Sequence, residues 1–238
     1  RTVEDFQWCR LALVAEHPTE CFVVLYITRL LVLSPCFLGA WARAGGLASV
    51  VALLRSPATT RGARLLALTT SSNATASVVG FEALYDQTCR ADFEAVLEMA
   101  LAACQEPDGE PRTAQAAASL VLNVTCVMDQ EPSCAGGEAE ELRLRLLAGV
   151  IPAIKVQATA DDSTGCERLL HSLCLLVSMS GGDAEYLIMA RSLGALDALQ
   201  AIGGSCEWAS KARELAKKLQ SPHCSAPSSR VPQNHETN

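Results

Sequence analysis

Aromatic residues are scarce in this chain of 238 residues, at 5% of positions. Sheets draw on aromatic and β-branched side chains, so this poverty argues against a β-sandwich. Histidine is rarer still, with four residues, which leaves few general bases or metal ligands. Positive charge is short as well: 19 Lys+Arg stand against 26 Asp+Glu, a net −7. Phosphate binding rests on clustered Lys and Arg, so the balance excludes nucleic acid as a main partner. The nucleotide-binding and hydrolase signatures G-x-G-x-x-G, G-x-x-x-x-G-K-[ST] and G-x-S-x-G are all missing. No two of the eleven cysteines form a Cys-x-x-Cys pair. A zinc site is thereby disfavoured, and a disulfide framework does not suit so long a chain with a good core. The cysteines read as small buried hydrophobes in a reducing, cytoplasmic setting.

No basic-then-apolar leader is visible, and a start at Arg1 without Met reads as a fragment or a processed form. Cys21 to Ala42 has the length of a membrane span, but Arg29 lies near its middle and Pro35 interrupts it. A buried core helix followed by a turn is the better reading, with no membrane span. Asn73-Ala-Thr75 and Asn123-Val-Thr125 match the glycosylation sequon, a motif short enough for chance to explain both.

Half of the residues are hydrophobic, with Ala and Leu plentiful. That excludes disorder for most of the chain and favours helices. The helices recur in a layout. Ala44 to Asn73 reads as a Gly-marked turn, a short apolar helix, a break at Arg55-Ser56-Pro57 and a longer helix, with Ser56 as the capping residue and Pro57 in the first helical turn. The layout returns from Ala148, where Gly149 is expected to end one helix and Pro152 to open the next. A break at Asp161-Asp162-Ser163 then precedes a long helix. It returns again from Leu193. Another unit fits between the first two: a helix over 92–104, with Phe93, Val96, Leu97, Ala100, Leu101 and Cys104 on one face, a Pro/Gly/Asp break, and a long helix over 113–128. Ser119–Val124 aligns with Ser172–Val177. Such recurrence points to a solenoid whose units bury their apolar faces against their neighbours.

The pattern Ala-Gly-Gly/Val-Leu/Ile-x-x-Val/Ile, followed by a polar break and a long Ala/Leu helix, resembles the armadillo repeat, with AGVIPAI at 148–154 the nearest match. The resemblance implies an all-α, right-handed α-α superhelix of about four repeats, each with three helices. Phe37–Arg43 and Leu142–Leu147 would be first helices. It spans about 36–219. Residues 1–35 would form irregular N-terminal helices packed on the array, 36–220 the solenoid, and 221–238 a disordered tail. Importin-α-like members line a peptide groove with Asn and Trp on successive third helices. Asn123 fits the Asn position, but Leu176 stands at the next one and no matching Trp is present, so a nuclear import receptor is not implied.

The expectation for function is a non-enzymatic scaffold or adaptor, without cofactor or metal, that binds a protein peptide or helix along its concave groove within a larger assembly. No small-molecule substrate is expected. The alternative is a chaperone cofactor gripping a client or a heat-shock chaperone. Groove candidates are the third-helix residues Arg64, Asn73, Asn123 and Arg168, since an amide can both donate to and accept from a peptide backbone. His171 and Cys174 lie three apart on one helix. Ordinary packing explains that spacing better than a nucleophile pair. Asp161 and Asp162 read as helix-start residues, and Asp129–Glu141 as a solvated acidic loop. Glu207–Gln220 reads as a closing helix with a polar outer face.

Overall fold

The computed structural model describes residues 18–131, 138–159, 163–179, 184–203 and 207–221. Among these are twelve helices and no strand. In chain order they are α1 Pro18–Leu31, α2 Pro35–Arg43, α3 Gly46–Arg55, α4 Arg61–Ala74, α5 Val78–Tyr85 and α6 Arg90–Cys104. There follow α7 Pro111–Gln130, α8 Ala139–Gln157, α9 Ser163–Ser178, α10 Ala184–Ser192, α11 Ala195–Ala201 and α12 Glu207–Gln220.

Local chemistry sets the helix ends. Thr60 and Ser77 accept backbone N–H bonds from Ala63 and Gly80 and so cap α4 and α5. Glu110 caps α7 ahead of Pro111, whose missing N–H costs nothing at a first helical position. The helix over 113–128 predicted from the sequence is the greater part of α7, and that over 92–104 is nearly all of α6. The apolar stretch from Cys21 divides into α1 and α2 at Ser34-Pro35. Among the described residues no single helix is long and apolar enough to cross a membrane.

Two parallel rows build the array. Long helices lie side by side in the order α1, α4, α7, α9, α12. A second row runs α3, α6, α8, α11 against them. Short helices α2, α5 and α10 precede the second-row helices of their units, so α2–α4, α5–α7 and α10–α12 are three-helix repeats. The fold is thus an all-α solenoid of helical repeats. α1 packs on α4 as the first helix of the long row.

The third repeat departs from expectation. Gly149 and Pro152 mark no helix break: α8 runs unbroken through both, and Leu142–Leu147 is its first half rather than a separate helix. The buried residues Leu47, Val50 and Val51 of α3 correspond in spacing to Val150, Ala153 and Ile154 of α8. That register places Gly149 with Gly46 and Ala148 with Gly45. Gly45 and Gly194 hold φ of 81° and 85°, the left-handed conformation that lets the chain turn. Alanine resists it, so at Ala148 the chain stays helical. The proline inside then forgoes one ladder bond.

The few aromatics are concentrated. Phe81 and Tyr85 of α5 stack at 5.2 Å between ring centroids, and both meet Phe93 of α6 edge-on at 5.8 and 6.1 Å. This cluster fixes α5, a helix the sequence reading did not assign. In α12, Ala209, Ala212, Leu215 and Leu219 are buried while Lys211, Arg213, Glu214, Lys217 and Lys218 are exposed, as expected of a closing helix. The aspartates at 161 and 162, the middle of the acidic loop at 132–137, residues 1–17 and the tail from 222 lie outside the described residues.

Candidate functional site

The long-helix row is held at its first three steps by a polar side chain reaching for a carbonyl of the preceding helix. Asn73 on α4 donates its amide to the Arg29 carbonyl of α1 at 2.7 Å. Asn123 on α7 donates to the Ser72 carbonyl of α4 at 2.8 Å and to the Ser72 hydroxyl at 3.2 Å. Arg168 on α9 donates to the Gln115 carbonyl of α7 at 3.0 Å. The second row carries counterparts: Gln105 on the Gly149 carbonyl at 3.2 Å and Gln157 on the Cys104 carbonyl at 2.9 Å. Three of the four residues picked out from the sequence are therefore inter-helix clamps. The fourth, Arg64, donates to the Ser56 carbonyl at 3.3 Å within its own repeat and lines a cleft. The structure does not gather the four at one point; it spaces them along the row.

A clamp has an energetic signature. Losing one amide–carbonyl bond in a half-buried setting costs about 1 kcal/mol, more where the carbonyl is left dry. Asn123→Ala is expected to lower the unfolding free energy by about 1–2 kcal/mol, read from the urea midpoint at constant slope. An unchanged midpoint would remove Asn123 from the clamp. Both sequon asparagines thus have their amides engaged internally.

Between the clamps the row presents a surface. Leu65 and Thr69 on α4, then Ser119, Leu122 and Cys126 on α7, are half-buried, and on α9 Leu175 is half-buried beside exposed His171. The Thr69 and Ser119 hydroxyls turn back onto their own helix carbonyls, at 2.7 Å each. The stripe is uncharged and moderately apolar, the character of the inner part of a protein interface. The ion pairs lie in the other row and its connections: Arg145 pairs with Glu94 and Glu141 at 2.6 Å each, and Arg90 pairs with Glu138. The sequence matches a family model. The model of the PUL domain aligns with residues 12–219.

The chain belongs to the PUL domain family. PUL domains are helical-repeat protein-interaction domains. No curated relative matches the sequence. Among the described residues of this PUL domain, no group of three or more His, Cys, Asp or Glu side chains could hold a metal ion. Burial pushes the Cys174 thiol above its ordinary range, which disfavours the nucleophilic thiolate beside His171.

The buried thiols carry a testable consequence. Burial pushes Cys104 up to about 12. An unfolded chain gives up that proton at about pH 8.5–9. Stability is therefore full below that pH and falls as the pH rises toward 12, because the unfolded state loses its proton first. Urea melts at pH 8 and pH 10 should show the decline. In the native protein an alkylating reagent should modify exposed Cys36 well ahead of Cys104. Equal rates at the two would mean that α6 opens readily.

Proposed function

We propose that this PUL domain is a non-enzymatic scaffold, of the armadillo type, that receives an extended peptide or a helix of a partner protein along its long-helix row within a larger assembly. The observation that carries this reading is the uncharged stripe over α4, α7 and α9, framed by side chains already committed to neighbouring carbonyls. A partner laid across that stripe buries apolar area without stripping water from fixed charges. Asn73, Asn123 and Arg168 set the helix-to-helix spacing that the partner meets, and Arg64 contributes to a cleft at one edge. The repeat array from α2 to α12 acts as one binding unit, with α1 as its opening helix. The net charge of −7 disfavours nucleic acid as a partner, and no small-molecule substrate is invoked. The eleven cysteines suit a reducing, cytoplasmic setting.

Site-specific photo-crosslinking tests the surface. A crosslinker is placed at half-buried Leu122 on the stripe, or at exposed Ala52 on α3 in the other row. Protein adducts are expected from position 122 and not from position 52. The reverse pattern would move the binding face to the second row.

A further inference from the structure

A cleft of about 620 Å³ opens where the first two repeats meet, at the ends of α3 and α6 and the starts of α4 and α7. Leu54, Leu68 and Met99 give it an apolar interior. Arg61 and Arg64, one turn apart at the N-terminus of α4, form one wall. Glu106 and Asp108, in the connection that follows the C-terminus of α6, belong to the opposite charge and also line it.

These four charges close no ion pair, with one another or with any other described residue. Arg64 spends one donor on the Ser56 carbonyl, and Arg61 is exposed. A third carboxylate at the cleft, Glu110, is spent on the Thr113 N–H and hydroxyl as the cap of α7, so the fold holds two cationic and two uncommitted anionic groups around the hollow and leaves their complements to be supplied from outside. A single-sign ligand would satisfy one pair and repel the other. A wholly apolar ligand would fill the hollow and shield both pairs from water without pairing either.

Resting on the reading of this domain as a peptide-receiving scaffold, we propose that the cleft is an anchor subsite for a partner segment of the type acidic–aliphatic–basic. The aliphatic side chain sits over Leu54, Leu68 and Met99. The carboxylate meets Arg61 and Arg64, and the ammonium or guanidinium meets Glu106 and Asp108. Guanidinium–carboxylate pairing sets the direction of the segment, and the apolar hollow supplies the anchor.

The test uses short synthetic peptides and the full chain with methyl-labelled methionine. The probes carry Glu-Leu-Lys, Glu-Leu-Glu, Lys-Leu-Lys or Glu-Ser-Lys between glycine and serine flanks. Glu-Leu-Lys is expected to shift the Met99 methyl signal saturably, leave Met128 in place, and bind about tenfold more tightly than each of the other three. Arg61→Glu, at an exposed position with no ion pair to lose, is expected to weaken Glu-Leu-Lys about tenfold and to improve Lys-Leu-Lys. A Met99 signal that no peptide moves, or equal affinity for all four, overturns the proposal. Adducts from position 122 with a silent Met99 would sink the subsite alone. A responsive Met99 without adducts at position 122 would sink the stripe and keep the cleft.

Discussion

Replacing Gly46 by alanine is expected to lower the unfolding free energy by about 3 kcal/mol, a drop of roughly 10 °C in Tm for a chain of this size. A Cβ at Gly46 would stand 2.2 Å from Trp41 Cε2 and 2.4 Å from Cδ2 and Nε1, distances no real contact allows. The indole is a rigid plane only 2% exposed, so it has nowhere to move. Alanine is the better helix former at an exposed site, but that gain is under ~1 kcal/mol and overlap decides the sign. A double-mutant cycle isolates the cause. In a Trp41→Leu background the added methyl enters space the indole has vacated, and the Gly46→Ala step should then cost less than ~1 kcal/mol. An undiminished cost would show that backbone conformation, rather than the indole, demands glycine.

Removing the guanidinium of Arg143 should cost a comparable amount. This side chain is buried at 7% exposure on α8 and donates Nε to the Leu176 carbonyl of α9 at 2.7 Å. Its guanidinium carbon lies 3.3 Å from the centre of the Tyr186 ring on α10, so a single side chain joins three helices across the third and fourth repeats. Arg143→Ala loses a charge-assisted hydrogen bond, a desolvated cation–π contact and packed methylenes, and is expected to destabilise by about 2–4 kcal/mol. Arg143→Lys keeps the charge but cannot donate from the Nε position and stack at once, so about half of the loss should remain. Thermal melts rank the three proteins. A lysine variant as stable as the parent would mean that charge alone matters there.

Both positions show where the chain speaks plainly and where it does not. The apolar spacing over 92–104, the end of a helix at Ser56 and the polar face of the last helix were legible because each is settled by neighbours within a turn or two; the helix start read at Ser56-Pro57 was not, since Thr60 caps α4 ahead of Arg61. Gly149 was misread because a glycine has two uses, a left-handed turn or a close approach. Leu101 Cδ1 lies 2.4 Å from where a Cβ would stand, so this glycine serves the second. The register that reveals this comes from burial, which spacing from one Gly to the next does not report. α5 went unassigned because its eight residues are too short for a period to emerge, and its anchor is an aromatic cluster shared with α6.

The candidate residues tell the same story. Asn73, Asn123 and Arg168 were picked as polar groups on apolar helices, and that choice found real junctions in the fold. Their acceptors are 44, 51 and 53 residues away in sequence. No local pattern indicates which carbonyl a side chain will meet across such a span. The cleft at Arg61, Met99 and Glu106 was invisible for the same reason, since its walls come from different repeats.

Composition and periodicity by themselves determined that the chain is helical, repetitive and built to bury each unit against the next, because those properties follow from side chains three and four residues apart. Tertiary structure alone decided which polar groups became clamps, which glycine turns the chain and which charges remain open. Those outcomes depend on distances between repeats, and packing sets them only once the rows have stacked.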